Sequence, residues 1–186
     1  MRKLYVFNMM SLDGFIARSN GDLDWHNVDK EFDDFAVEQL ASTGMILFGR
    51  VTYDMMAAFW PTPGAIESDP VVAEAMNSLP KIAFSKTLQR ADWSNSSLAR
   101  EIVAEEISAL KREAGKDIAI FGSSTLVSAF SELGLIDEYR VMVNPVVLGS
   151  GIPLFNGMDR YLKLKFLQAR PFRSGNLLLY YTPDVH

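Results

Sequence analysis

Residues 117–134 read DIAIFGSSTLVSAFSELG, and this stretch decides the fold. Asp117 to Phe121 is a short apolar run with little polar alternation, the pattern of a strand covered on both faces. It runs into Gly122, Ser123 and Ser124, residue types that turn a chain and begin a helix. Leu126, Val127, Phe130 and Leu133 then recur at helical spacing until Gly134 ends the stripe. Strand, tight turn and helix in immediate succession are the repeating grammar of an α/β domain.

The same grammar recurs upstream. Lys3 to Met10 is a buried-strand candidate, Phe35, Ala36 and Leu40 mark a helix from Phe32 with Asp29 as a possible cap, and Met45 to Phe48 is a strand ending at Gly49. Three prolines and Gly64 between Trp60 and Pro70 predict an irregular connection, after which Asp69 and Pro70 start a short helix. Lys81 to Ser85 is a further strand, and Val103, Ile107, Leu110 and Ala114 form one face of a helix closed by Lys111, Arg112 and Gly115. Strands dominate afterwards: Tyr139 to Val143, Val146 to Leu148, then a hairpin of Leu164 to Ala169 and Leu177 to Thr182. The expectation is one three-layer α/β domain over residues 1–186, with a mixed, mainly parallel sheet and an antiparallel C-terminal hairpin.

Composition narrows the function. The 186 residues are 48% hydrophobic and carry 18 Lys and Arg against 23 Asp and Glu, a formal charge of -5. That balance offers no cationic field for nucleic acid, which is not expected as a partner. With no Cys and only His26 and His186, disulfides, thiolate chemistry and a three-histidine metal site are excluded, and no metal is expected. The apolar start at Leu4 to Phe7 is interrupted by Asn8, Ser11 and Asp13 before it reaches signal-peptide length, and no run approaches a membrane span. A cytoplasmic protein without a membrane partner is expected.

Three strand ends carry candidate anion sites. Gly122, Ser123, Ser124 and Thr125 place helix-start amides where a phosphate could sit, although a Ser-capped helix after a turn explains them as well. Gly49, Arg50, Val51, Thr52 and Tyr53 repeat the arrangement with a guanidinium and a hydroxyl beside the helix start. Ser85, Lys86 and Thr87 add a cation and two hydroxyls; singly, Arg50 or Lys86 reads as a solvated charge. Two anion sites at successive strand ends suggest a dinucleotide, because ligands of open α/β sheets gather beyond the carboxyl ends of strands. In the turn from Ser11 to Ala17, Asp13 and Gly14 let backbone approach a flat ring or simply turn the chain. Trp25 and His26 could cover a pocket, and Asp29 could handle a proton or cap its helix. Asp29 and Asp13 are the candidate catalytic carboxylates, with Trp25, Asp29 and Tyr53 set for the substrate.

Five segments carry a family resemblance: SLDGFIA at residues 11–17, FGRVTY at 48–53, FSKTL at 84–88, IFGSSTL at 120–126 and GLIDEYRVMVNPVVLGSGIPLF at 134–155. In this order they resemble the dihydrofolate reductase fold superfamily, specifically the reductase domain that forms the C-terminal half of bifunctional riboflavin-biosynthesis deaminase-reductases. The resemblance spans nearly the whole chain. It implies an NADPH-dependent reductase in which Gly49 to Thr52 and Ser85 to Thr87 hold the adenosine phosphate side, Gly122 to Leu126 cradle the pyrophosphate, and Met9, Ile16 and Ala17 flank the nicotinamide by their backbone groups. The implied substrate is a small heterocyclic or imine-bearing molecule, most specifically 5-amino-6-(5-phosphoribosylamino)uracil. Dihydrofolate reduction and a non-catalytic NADPH-binding or sensor domain are the alternatives. Asp29 follows Trp25 by four residues where folate-reducing enzymes use five, and no Cys exists to supply the zinc ligands of the deaminase half. The resemblance also implies a homodimer through the C-terminal part of the sheet.

Overall fold

The computed structural model describes residues 1–184, so His186 lies outside the described residues. The chain opens with β1 (Leu4–Ser11), whose apolar run is buried on both faces. The short β2 (Phe15–Ala17) follows, then α1 (Lys30–Ala41), begun by Asp29, whose carboxylate accepts from the Phe32 N–H. Next come β3 (Thr43–Gly49) and α2 (Arg50–Phe59) without an intervening loop. Where an irregular connection was expected, α3 (Pro63–Ser68) forms instead, because Thr62 caps it and Pro63 occupies its first turn. The helix α4 (Pro70–Ser78) starts on Asp69, as its sequence predicts.

Further along, β4 (Lys81–Phe84), β5 (Ser96–Ala99), α5 (Ala104–Arg112), β6 (Asp117–Ile120) and α6 (Ser124–Glu132) complete the alternating part. After β7 (Glu138–Asn144) the expected strand at Val146 to Leu148 is absent. Pro145 has no N–H for a ladder, and the Val146 carbonyl accepts from Leu12 N at 2.8 Å while Asp13 takes the Leu148 N–H. The extended pairing falls later, at β8 (Ile152–Pro153), which lies antiparallel to β2. The hairpin β9 (Leu164–Pro171) and β10 (Leu177–Pro183) ends the fold as expected.

The main sheet runs β5-β4-β3-β6-β1-β7-β10-β9. Every neighbouring pair is parallel except those made by β10, which is antiparallel to both β7 and β9. One face packs Leu4, Val6, Ile118 and Ile120 under Ile107 of α5 and Val127 and Phe130 of α6. The other packs Ile46 and Phe48 against Tyr53 and Met76, and Met9 and Met142 against Phe35 of α1. Three layers result. Because β6 inserts between β1 and β3, and the chain then crosses β1 to reach β7, the connections diverge at the centre of the sheet. Such a switch point opens a crevice at the carboxyl ends of the strands.

Candidate active site

The three polar turns read from the sequence meet at this crevice. β3 ends at Gly49, whose N–H donates to the Gly122 carbonyl at 3.0 Å, so the turns after β3 and β6 are in contact. A Cβ added at Gly49 would collide with Ser123 Oγ, so only glycine lets the two helix starts approach this closely. Gly122 has φ +99°, and a Cβ there would lie 3.0 Å from Thr52 Oγ1 and 3.5 Å from Asn8 Nδ2. The Gly122–Ser123 peptide is cis. Neither α2 nor α6 has a side-chain hydrogen bond at its cap, since Ser123 Oγ pairs with Thr125 Oγ1 at 2.9 Å instead. Their first-turn amides are thus left for another acceptor. Leu126 is buried beneath this turn, whereas Val51 is 75% exposed beside it.

The third turn joins through Arg50. Its Nη1 donates to Thr87 Oγ1 at 2.5 Å, and its Nε faces Asp54 at 3.4 Å. Ser85 is buried and its hydroxyl accepts the Thr87 and Leu88 N–H groups, which fixes the loop as a turn. Lys86 stays exposed. Arg100, which the sequence reading passed over, donates to the Ser85 and Leu88 carbonyls and adds a third cation beside Arg50 and Lys86. Its signal was weak: it follows β5, a strand without a clear pattern.

Across the crevice, Met9 is buried on β1 and Ile16 and Ala17 form β2, so the three residues assigned to a flat ring lie on neighbouring strands. Asp13 is engaged by its own chain. Its carboxylate accepts from Ser11 Oγ, Leu148 N and Gly149 N at 2.7 to 3.1 Å and staples the loop after β7. Desolvation raises its pKa, but the Leu148 N–H, the Ser11 hydroxyl and the Gly149 N–H together outweigh it and lower the value, which suits an anionic anchor. Tyr53 is likewise withdrawn from a substrate: it is 3% exposed, packs on Phe48 and Trp93, and accepts the Trp93 N–H at 3.0 Å. Its apolar neighbours Phe48 and Trp93 turn the ring inward.

Asp29 gives one carboxylate oxygen to the α1 cap at 2.9 Å. Trp25 meets His26 edge to face with centroids 4.5 Å apart, and Trp25 Nε1 and His26 Nε2 are sealed without a partner among the described residues. Burial lowers the His26 pKa to about 4 against the contrary pull of the Ile16 backbone, so the ring is neutral near pH 7. The segment holding them is tied down by asparagines: Asn27 N donates to Asn144 Oδ1 at 2.9 Å, and Asn176 Nδ2 to the Asn27 carbonyl at 2.7 Å.

Two cavities lie elsewhere. One of about 350 Å³ is lined by Gln39, Glu138, Arg140 and Tyr180, and one of about 550 Å³ by Arg2, Ile136, Tyr139 and Leu162. Both sit toward the amino ends of the strands and contain none of the crevice residues. The crevice is the better site, because converging amides and cations are what a phosphate-bearing ligand needs, not enclosed volume.

The model of the RibD C-terminal domain matches residues 2–178. The chain belongs to the RibD C-terminal domain family. Its similarity extends to the uncharacterized protein YyaP of Bacillus subtilis (strain 168), 33% identical over 97% of this chain and 94% of that one. A crystal structure of a protein ascribed to riboflavin biosynthesis from Shewanella sp. PV-4 superposes with a TM-score of 0.72 at 24% identity, covering 98% of this chain and 99% of that one. Dihydrofolate reductase from Enterococcus faecalis, complexed with NADP(H), superposes with a TM-score of 0.66 at 15% identity over 98% and 97% of the two chains. RibD C-terminal membership and the dihydrofolate reductase-like fold agree with the architecture above. No helix among the described residues is long and apolar enough to cross a membrane.

Proposed function

We propose that this RibD C-terminal domain protein is an NADPH-dependent reductase of a small heterocyclic or imine-bearing substrate, with 5-amino-6-(5-phosphoribosylamino)uracil as the most specific candidate. The observation that carries the reading is the meeting of three anion-receptive turns at one crevice. The cradle fits a dinucleotide: Gly49 leaves no room for a Cβ against Ser123, α2 and α6 start without side-chain caps, and Arg50 already reaches Thr87. Gly122 to Thr125 would hold the pyrophosphate, and Arg50 with Ser85 to Thr87 the adenosine phosphate. Met9, Ile16 and Ala17 would present backbone groups to the nicotinamide. When bound, the cofactor supplies a hydride.

The chain's own part is orientation and water exclusion. The asparagine ties hold Trp25 and His26 over the crevice next to β2. Asp29, at the start of α1, is the carboxylate assigned to proton handling through the oxygen its cap leaves over. A homodimer and a small-molecule substrate complete the proposal.

The test is a titration of the full chain with NADPH and NADH, repeated with Arg50→Ala, followed by turnover assays with the aminouracil and with dihydrofolate. Parent preference for NADPH and a tenfold to hundredfold loss in the variant are expected, since a charge-assisted contact contributes about 1.5 to 3 kcal/mol. Equal parent affinities, or an unaffected variant, would remove Arg50 from the phosphate site. Binding without turnover of any oxidised substrate would favour the sensor reading, and turnover of dihydrofolate alone the folate one.

A further inference from the structure

Strand alternation puts Glu138 and Arg140 of β7 on one face of the sheet, the face that also carries Met142 against Phe35 of α1. Two ionised groups are withdrawn from water there: Glu138 is 7% exposed and the Arg140 side chain 13%. Buried charges oppose folding unless their hydrogen-bonding capacity is met. Glu138 is fully met, since one oxygen accepts from Arg140 Nε at 2.6 Å and the other from Lys3 Nζ at 3.1 Å. Arg140 is not. Its Cζ lies 3.7 Å over the Tyr5 ring and its Nη1 reaches Gln39 Oε1 at 3.4 Å, but Nη2 has no hydrogen bond among the described residues.

Gln39 repeats the imbalance from the opposite wall. It sits in the last turn of α1 and is 5% exposed. A guanidinium carries donors only, so the amide oxygen must face Arg140 and the amino group must point elsewhere. That Nε2 has no partner among the described residues. The helix end does not need the side chain, because Ser42 N, Ser42 Oγ and Thr43 Oγ1 all donate to the Gln39 backbone carbonyl. A contact of 3.4 Å to Arg140 is too long to account for burying a carboxamide.

Both residues line the cavity of about 350 Å³, whose walls include the rings of Phe35 and Tyr180. Neither of the two unpartnered nitrogens is sealed off by protein atoms. In the ion pairs around the cavity, Arg140, Lys3 and Arg170 outnumber Glu138 and Glu38, so one positive charge is left over. Unused donors, a single surplus charge and aromatic walls define the complementary group. A carboxylate offers two acceptor oxygens in one plane, which a guanidinium edge and an amide N–H can meet together.

We infer that the cavity between α1 and the β7–β10 face binds a small aromatic monocarboxylate, whose oxygens accept from Arg140 Nη2 and Gln39 Nε2. The site lies at the opposite end of α1 from Asp29, and it does not depend on the dinucleotide reading.

The experiment titrates the full chain, without NADPH, with benzoate, benzamide, inorganic phosphate and acetyl-phenylalanine, following side-chain amide signals by NMR. Benzoate should saturate one site with a dissociation constant on the order of 1 mM or tighter, as fits a ligand of so few atoms, and should move the Gln39 amide signals. Benzamide has the shape without the charge, phosphate the charge without the ring, and acetyl-phenylalanine the acid of a peptide end. Each should bind about tenfold more weakly than benzoate, the loss expected when a charge-assisted contact or its ring support is missing. Gln39→Met keeps a good helix former and should melt at or above the parent while losing about tenfold in benzoate affinity. If that variant does not fold, Arg140→Lys, which keeps the charge but not the planar fork, decides by the same loss. No saturable benzoate binding, an unchanged benzoate affinity in the deciding variant, or binding of any other probe as tight as benzoate overturns the inference.

Discussion

His26 shows how a single side chain ties the crevice to acidity. Burial lowers its pKa from 6.5 to about 4, although the Ile16 backbone favours the charged ring. The folded protein therefore resists protonation that the unfolded chain accepts. With the folded value below the unfolded one, the unfolded state binds more protons in between, so stability falls as pH drops below about 6.5 and this contribution is exhausted near pH 4. The shift sets an upper bound on the order of 3 kcal/mol, less whatever the ring's remaining solvent contact relieves. Urea unfolding across that range should show the decline in the parent and a shallower one in His26→Leu. Identical slopes in the two proteins would mean that the ring is solvated and does not hold the segment over β2. Asp13 illustrates the opposite case: its hydrogen bonds favour the carboxylate, which suits an anchor for the loop after β7.

At the scale of elements, the join between α4 and β4 rests on one lysine. Lys81 is 1% exposed, and its Nζ donates to the Met76, Asn77 and Leu79 carbonyls at 2.6 to 3.2 Å while lying 4.5 Å from the Trp93 ring centroid. It closes a helix end that has no basic residue in its last turn. Lys81→Met keeps the length but strands those carbonyls, so a loss of about 1 to 3 kcal/mol is expected in denaturant unfolding. A variant as stable as the parent would show that water serves those carbonyls equally well. The sequence carried a strand at Lys81 to Ser85 but not this use of its first residue, and that division is general here. Strands β1, β3, β4 and β6 and helices α1, α4, α5 and α6 were legible because each strand has an apolar run and each helix an apolar stripe bounded by a capping residue or a closing glycine. The strands β2, β5 and β8 have two to four residues each, and they exist because a neighbour supplies a ladder. Local pattern cannot encode that. The site divides similarly: the Gly and hydroxyl turns were visible as motifs, whereas the burial of Tyr53, the stapling role of Asp13 and the arrival of Arg100 depend on distant packing.

For the whole molecule, the C-terminal hairpin decides what surface remains to be covered. The apolar stretch from Tyr139 to Phe155 has no open edge at β7, because β10 pairs along it and Val141 is only 7% exposed, so the chain covers that strand itself. The need is moved outward. Leu177, Leu179 and Tyr181 stand opposite Val143, Val141 and Tyr139, and Phe166 stands opposite Tyr181, which puts all of them on the α6 side of the sheet. The buried cluster on that side reaches Tyr139 and Val141, while further out Phe166 is 55% and Leu177 37% exposed. Among the described residues β9 also presents a free ladder edge. Apolar side chains beside an open edge are the surface a second copy would bury, and a two-fold contact needs a patch that complements itself. We therefore propose a homodimer through β9 and β10 rather than through Val143 or the 64% exposed Val147. Light scattering at micromolar concentration should report about twice 20.8 kDa. Phe166→Glu should return the monomer mass, because a charge at the centre of such a contact would be buried without a partner. Phe166 stands at the Tyr139 end of β7, and the phosphate turns after β3, β4 and β6 lie on the other side of β1, so the variant should bind NADPH as the parent does. A parent that stays monomeric across the accessible range, with NADPH present or absent, would leave the hairpin as a solvated edge and end the dimer proposal.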